Sequence, residues 1–294
     1  MSSPENHATS APIGLFDSGL GGLTVVRQAL TLLPNESILY LADQAHVPYG
    51  GRDLSQIREF ATAISRALIE AGCKSVVMAC NISTAAALPS VQAAFPEIPI
   101  LGVISPGAQA AAQLTQNGKI GVLATVGTVR SGAYSASLHS IQPGLKVFEV
   151  ACPAFVPLVE AGLETTQEAV TAAQEYLAPL IEAGVDTILL GCTHYPFLLS
   201  ALQKIAPGLL YIDPAEQTLA QLQSLLTARD LLQRPTPNTR RPTLNSHLLT
   251  TTGDIELYRK QLKLFLPNSS PNTTVAGAYW RDGRVSFDAT ESGR

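Results

Sequence analysis

One segment of this chain occurs twice. Leu68-Ile69-Glu70-Ala71-Gly72 runs through Cys73-Lys74-Ser75-Val76-Val77-Met78-Ala79 to Cys80-Asn81, and Leu180-Ile181-Glu182-Ala183-Gly184 runs through Val185-Asp186-Thr187-Ile188-Leu189-Leu190-Gly191 to Cys192-Thr193. The copies align without a gap. Each reads as a helix end, a glycine cap, a short buried strand and a cysteine at the strand's exit. A chain that builds this unit twice is held to an architecture of alternating helices and strands, and it delivers a thiol by the same device each time. Two matched thiols are what a proton transfer from both sides of a substrate requires.

The rest of the chain fits that alternation. Strand-like runs occur at Ile13 to Asp17, Ser37 to Ala42, Ser75 to Ala79, Ile98 to Ile104, Lys119 to Ala124, Lys146 to Ala151, Thr187 to Gly191 and Leu209 to Ile212. Several are continuous and apolar, as parallel strands covered on both faces are. Between them, Ile57, Phe60, Ala61, Ile64 and Leu68 share one helical face, and Val170, Ala173, Leu177, Leu180 and Ile181 share another. Pro179 is expected to kink or split the second helix. The pattern predicts an α/β fold of two doubly wound α/β domains, with one Cys-bearing copy of the repeat in each. We place the first domain, on the Cys80 side, at 13–104 plus 213–266, and the second, on the Cys192 side, at 105–212. Ser105-Pro106-Gly107 is the expected crossing and Ile212-Asp213-Pro214 the return. Residues 1–12 read as a disordered tail and Arg234 to Pro242, with three prolines, as a loop. The C-terminal 267–294 carries patches at Tyr279-Trp280 and Val285-Ser286-Phe287 to which the pattern assigns no role.

Composition removes several classes of function. With 294 residues, 46% hydrophobic and 14% charged, the chain can bury a large core. A net charge of −4 without a basic stripe argues against nucleic acid as a partner. No apolar run approaches the ~20 residues that span a bilayer, and the N-terminus lacks the charged-then-apolar order of a secretory signal. The four cysteines, Cys73, Cys80, Cys152 and Cys192, form no Cys-x-x-Cys pair and no zinc-spaced cluster. Free thiols in a cytoplasmic protein are the expectation. Cys73, in a strand approach, and Cys152, before Pro153, read as buried and inert.

Cys80 and Cys192 each lie where a strand ends and a helix is expected to begin. Free N–H groups and partial positive charge at a helix start lower a thiol's pKa from ~8.5 toward neutrality. Two buried inert cysteines are the plainer alternative, but the in-register copies with Asn81 and Thr193 beside them, at the strand ends where α/β ligands sit, favour function. Asp17-Ser18-Gly19-Leu20-Gly21-Gly22 follows the first strand. Its glycines would let the backbone approach an anion, but their spacing is not that of a dinucleotide fingerprint, and a tight turn reads the same way. Asp17 itself, at the strand's carboxyl end, could orient or deprotonate a neighbour. Pro48-Tyr49-Gly50 could offer backbone donors and a phenol edge, or form an ordinary surface turn around His46. Thr125 and Thr128 supply two hydroxyls or a helix cap. Glu160 reads alone as a solvated helical carboxylate. His194, two residues after Cys192, is placed equally well for a structural hydrogen bond and for handling a proton.

Together, Asp17-Ser18-Gly19-Leu20-Gly21-Gly22-Leu23, Pro48-Tyr49-Gly50, Ala79-Cys80-Asn81, Gly127-Thr128-Val129 with Ser131-Gly132-Ala133-Tyr134, Pro157-Leu158-Val159-Glu160 and Gly191-Cys192-Thr193-His194-Tyr195-Pro196 resemble the glutamate racemase family, of the cofactor-independent aspartate/glutamate racemase superfamily. The resemblance implies racemisation of glutamate without pyridoxal phosphate or metal, supplying D-glutamate for peptidoglycan, in a cytoplasmic homodimer. It implies a pseudo-symmetric active site between the two α/β domains, in which Cys80 removes the α-proton of D-glutamate and Cys192 that of L-glutamate. Asp17 would assist Cys80, and Glu160 and His194 would assist Cys192. Ser18, Pro48, Tyr49, Gly50, Asn81, Thr125, Thr128 and Thr193 would bind substrate. The chain departs from the family where Ile82 replaces the usual Thr and where Ser105 stands in place of a common acidic residue. Racemisation of aspartate or another acidic amino acid, and a non-catalytic cleft for such a ligand, are the competing readings. A hydrolase with one Cys nucleophile leaves the second copy unexplained.

Overall fold

Short apolar runs such as Ile13–Asp17 and Ile38–Ala42, buried at every position, set up a parallel sheet, and the computed structural model builds two. It describes residues 9–233, 246–267 and 272–288. The Arg234 to Pro242 stretch lies outside those residues, as do residues 1–8 of the N-terminal tail. The first sheet has the order β11-β10-β9-β2-β1-β3-β4, formed by β1 (Ile13–Asp17), β2 (Ile38–Ala42), β3 (Ser75–Met78), β4 (Ile100–Gly102), β9 (His247–Thr251), β10 (Thr273–Arg281) and β11 (Arg284–Phe287). The second has the order β6-β5-β7-β8, formed by β5 (Lys119–Ala124), β6 (Lys146–Ala151), β7 (Thr187–Gly191) and β8 (Leu210–Ile212). Every pairing is parallel except the β10–β11 hairpin.

Alternation along each strand sends side chains to opposite faces. Ile13 and Leu15 enter a core cluster with Leu23, Val26, Leu219 and Leu222, whereas Phe16 joins Ile64, Leu68 and Met78 on the other face. The first of these clusters continues through Leu123, Phe155, Leu177 and Leu190, so one apolar core runs from the first sheet to the second. The helix Pro214–Ala228 packs against Leu23–Leu32 on one side and Ile104–Leu114 on the other. Among the described residues, no helix is long and apolar enough to cross a membrane.

The two repeat copies occupy equivalent places. Helix Leu54–Glu70 ends at Gly72 (φ +89°) before β3, and helix Gln167–Ala183 ends at Gly184 (φ +71°) before β7. These left-handed positions are where a Cβ would clash with the chain's own carbonyl. The first copy also carries a buried ion pair at the foot of the sheet. Lys74 Nζ lies 2.6 Å from Glu36 Oε2 and donates to the carbonyls of Thr9 (2.6 Å) and Leu231 (2.8 Å), while Glu36 Oε1 accepts from the Gln233 amide (2.9 Å). The Lys74 amide donates to the Pro12 carbonyl, so residues 9–12 of the expected tail are tied to the sheet.

Several expectations are revised. The run Ile98 to Ile104 yields only a short strand, because Ile104 opens helix Ile104–Leu114 and Ser105-Pro106-Gly107 forms its first turn rather than a loop. Pro106 is accommodated there since first-turn N–H groups have no helical partner to lose. Pro179 does not split its helix, which runs unbroken over Gln167–Ala183. Ile181 is 46% exposed, on the solvent edge of the face it was placed on. The C-terminal segment has a place in the fold: β10 and β11 extend the first sheet beyond β9.

Candidate active site

The two sheets share one winding. Numbering strands from the start of each sheet, both contain the order second-first-third-fourth, β2-β1-β3-β4 and β6-β5-β7-β8. In such a sheet the crevice opens at the carboxyl ends of the first and third strands, where successive connections leave in opposite directions. Asp17 ends β1 and Cys80 follows β3. In the same positions of the second sheet stand Thr125 after β5 and Cys192 after β7. Hydrogen bonds join these strand ends across the gap. Thr193 Oγ1 donates to Asp17 Oδ2 (3.1 Å), Thr24 Oγ1 donates to the Thr193 carbonyl (3.2 Å), and Tyr134 Oη donates to Asn81 Oδ1 (2.7 Å). The glycine loop after β1 lies directly on the Cys192 turn, so that a Cβ on Gly21 would collide with Thr193 Oγ1 and His194 Nδ1.

The half-sites differ in local structure. Cys80 is the N-cap of helix Asn81–Ala94, and its Sγ donates to Ser18 Oγ at 3.8 Å. No α-helix follows Cys192 directly. A 3-10 turn over Tyr195–Leu198 intervenes before helix Leu199–Ile205. Cys192 Sγ instead lies 3.8 Å from His194 Nδ1, and His194 Nε2 lies 3.3 Å from Glu160 Oε1. Glu160 ends helix Phe155–Glu160 with its side chain 41% exposed, so a Cys–His–Glu chain leads from the buried sulfur toward solvent.

The expected lowering of the thiol pKa values is reversed. Burial pushes Cys80 up to about 11, the neighbouring Asp17 charge raises it further, and the nearby Ser83 and Ser18 pull it down. Burial also raises Cys192 well above the ordinary thiol value, opposed by the His194 amide and reinforced by Asp17, Cys80 and Cys152. The two thiols are 5% and 7% exposed. Desolvation of a charge outweighs the partial charge of one helix start at Cys80, and no such helix start exists at Cys192. Asp17, 1% exposed, is itself raised by burial, against the pull of His194, the Gly22 amide (2.6 Å to Oδ2) and Thr193. Among the described residues its Oδ1 has no hydrogen-bond partner, and neither thiol bonds to it.

These thiols make stability fall in alkali. Cys73 is also raised, to about 12, and Cys152 is raised, both chiefly by burial. Above the unfolded thiol pKa of ~8.5 the unfolded chain releases protons that the native chain retains, so each such thiol costs about 1.4 kcal/mol per pH unit. The loss begins near pH 8.5 and continues to about pH 11 for Cys80. Urea midpoints measured at pH 8 and pH 10 are expected to differ clearly, and coincident midpoints would contradict the burial of the thiols.

The remaining candidates are distributed around the crevice. Thr125 caps helix Val126–Ser131 and its Oγ1 lies 3.0 Å from Thr128 Oγ1, so the pair is both cap and crevice wall. Gly50 packs against Thr125, which brings the 48–50 segment to the same wall. The Tyr49 phenol does not offer itself to a ligand, since it donates to Asp43 Oδ2 at 2.6 Å. Pro48 follows a cis bond and is exposed. Ser18 is half-buried beside Cys80.

Asp43 is the main residue that sequence reasoning missed. It is fully buried at the end of β2, and its Oδ2 also meets His46 Nδ1 (2.9 Å) while its Oδ1 accepts from Thr252 (2.8 Å) and Trp280 Nε1 (2.7 Å). His46 stacks on Phe60 instead of lying free in solvent. The available signal was Asp43's place at a strand's carboxyl end, the same as that of Asp17. Cys73 packs against Gly14 and Leu68, and Cys152 lies beneath Tyr195, whose hydroxyl donates to the Cys152 carbonyl. A separate hollow of about 870 Å³, between helix Leu54–Glu70 and the β10–β11 hairpin, touches none of the candidate residues. Among the described residues, no group of three His, Cys, Asp or Glu side chains could hold a metal ion.

Comparison with known proteins places this arrangement. The family model described as Asp/Glu/Hydantoin racemase matches residues 23–222. A glutamate racemase of Corynebacterium diphtheriae is 42% identical over 260 residues, 87% of this chain and 94% of its own length. Among solved structures, a glutamate racemase of Bacillus anthracis superposes with a TM-score of 0.84 at 36% identity, covering 94% of this chain and 99% of that one. One from Francisella tularensis, in complex with D-glutamate, has a TM-score of 0.81 at 32% identity, covering 91% of this chain and 97% of that one. The chain belongs to the Asp/Glu/Hydantoin racemase family.

Proposed function

We propose that the protein interconverts L- and D-glutamate by proton transfer at the α-carbon between Cys80 and Cys192. The observation that carries this reading is the placement of the two thiols at matching strand ends of matching sheets, bridged by Thr193 and Asp17. A planar carbanion-like transition state must be approached from both faces, so one sulfur is thiolate while the other is thiol. With D-glutamate, the Cys80 thiolate takes the α-proton and Cys192 returns one to the opposite face. With L-glutamate the roles exchange. Burial favours the protonated form of both thiols, so a proton must leave before turnover. The His194–Glu160 chain, running from Cys192 toward solvent, supplies a route for it. Asp17 assists on the Cys80 side, where its charge, by destabilising the thiolate, makes that thiolate a stronger base toward the α-proton. Ser18, Asn81, Thr125, Thr128, Thr193 and the 48–50 segment bind the substrate's ammonium and carboxylates. A dry site strengthens such contacts.

The same reading takes residues 13–104 with 213–266 as one domain and 105–212 as the other, in a cytoplasmic homodimer whose product feeds peptidoglycan synthesis. The test is incubation of the reduced protein with each glutamate enantiomer in deuterium oxide, read by chiral chromatography and mass spectrometry. Inversion with deuterium entering the α-position is expected. If both enantiomers emerge unlabelled and unconverted, the reading fails; conversion of aspartate in their place would move the activity to the aspartate class.

A further inference from the structure

The Cys80 half-site holds a hydroxyl that the scheme above leaves unused. Ser83 stands in the first turn of helix Asn81–Ala94, three residues after the N-cap Cys80. At that position of a helix the backbone N–H points back at the cap side chain. Ser83 is fully buried, and among the described residues its Oγ has no hydrogen-bond partner. The adjacent hydroxyl is committed elsewhere, since Thr84 Oγ1 donates to the Met78 carbonyl at 3.0 Å. Cys80 caps this same first turn, its sulfur making no side-chain cap hydrogen bond to the helix and lying 3.8 Å from Ser18 Oγ, and the proximity of Ser83 draws the thiol's pKa downward against burial. A buried hydroxyl without an acceptor is costly, and a neutral thiol is a weak acceptor whereas a thiolate is a strong one. Ile82, between Asn81 and Ser83, offers no hydroxyl and packs into an apolar cluster with Tyr49, Ile57 and Ala86.

We propose that Ser83 is a positioning residue of the Cys80 half-site, its hydroxyl and amide receiving the Cys80 thiolate and fixing the sulfur opposite the substrate's α-carbon. The inference rests on the racemase reading. When the Cys80 thiolate takes the α-proton, the S–H bond forms and the C–H electron pair stays on the α-carbon. Ser83 keeps its own proton throughout and loses only its charged acceptor. Cys192 has no equivalent first turn and meets the His194 ring instead. The two thiolates are therefore stabilised by different chemistry, hydroxyls and a helix start on one side and an imidazole on the other.

Because the enantiomers have equal free energy, kcat/KM must change equally in both directions in any variant, so the ratio of the two directions reports nothing. Thiol reactivity does. The experiment follows iodoacetamide alkylation of Cys80 and of Cys192 from pH 7 to pH 10 by peptide mass spectrometry, in Ser83→Ala, Ser83→Thr and Ser75→Ala. Ser75 is an equally buried control whose Oγ likewise has no hydrogen-bond partner among the described residues, about 16 Å along the strand from Cys80. Loss of one charge-assisted hydrogen bond is expected to slow Cys80 alkylation about tenfold at a given pH. Its pH profile moves upward, and Cys192 is unaffected. Ser83→Thr keeps the wild-type profile, and kcat falls in both directions with little change in KM. A Cys80 profile in Ser83→Ala that overlays the wild type, or an equal shift in Ser75→Ala, overturns the proposal. Alkylation needs no turnover, so an error in the substrate leaves this readout intact, and a null result here leaves the racemase reading standing.

Discussion

Replacing either Cys80 or Cys192 with Ala is expected to lower glutamate racemisation by between about 10²-fold and 10⁴-fold, the range spanned by a single positioned acid or base. Chiral chromatography of each direction measures it. The effect is large because neither half-site can substitute for the other: a proton removed from one face of the α-carbon must be replaced from the opposite face. For the same reason the double variant is expected to lose little more than either single one, since residues that act as a unit are strongly non-additive. Isotope exchange separates the two roles. In deuterium oxide, Cys192→Ala retains Cys80 and is expected to exchange the α-proton of D-glutamate slowly while leaving L-glutamate unlabelled. Cys80→Ala should do the reverse. Both side chains are almost fully buried, but Ala removes only a sulfur, and an unchanged circular dichroism spectrum guards against loss of fold. A single variant that racemises at the wild-type rate would exclude the two-thiol reading.

The second large effect is on stability and lies far from the chemistry. Lys74→Met is expected to destabilise the protein by about 3–5 kcal/mol, because it leaves the Glu36 carboxylate buried without its counter-charge. Lys74 and Glu36 side chains are 3% and 1% exposed, so solvent screening does little to reduce the penalty. Burial already draws the Lys74 pKa downward, and only Glu36 holds it up. The pair also ties down two stretches distant in sequence, Thr9 through its carbonyl and 231–233 through the Leu231 carbonyl and the Gln233 amide. For a chain of this size the loss corresponds to a fall in Tm on the order of 10 °C. The double variant Lys74→Met with Glu36→Leu should recover part of it, since an apolar pair needs no counter-charge. Thermal melts of the two single variants and the double form a cycle. If the double is less stable than Lys74→Met alone, the loss comes from the severed backbone contacts and not from the stranded carboxylate.

Local pattern made much of the fold legible. β1, β5, β6 and β7 have the bounds read from the sequence, because each is a short apolar run closed by turn residues. β9, β10 and β11 were not legible. β9 contains Thr250 and Thr251, whose hydroxyls are buried only because Tyr40's carbonyl and Gln44 accept from them. The Trp280 indole likewise finds its acceptor in Asp43, remote in sequence. Polar groups whose partners come from distant segments carry no local signature. The site divides in the same way. The repeat placed Cys80 and Cys192, but the same pattern implied helix starts at both, and only Cys80 has one.

The sequence by itself determined the chemistry on offer: two thiols at equivalent strand exits, a carboxylate at the end of β1, and the hydroxyls and glycines around them, because these follow from residue order and the periods of helix and strand. Tertiary structure decided what that chemistry becomes. It brought Glu160 to His194 and His194 to Cys192, committed Tyr49 to Asp43, and raised both thiols where local context implied lowering. The reason is that ionisation answers to the whole surroundings of an atom: closing two sheets on each other removes water from both sulfurs, and that desolvation exceeds anything a neighbouring residue in the chain can supply.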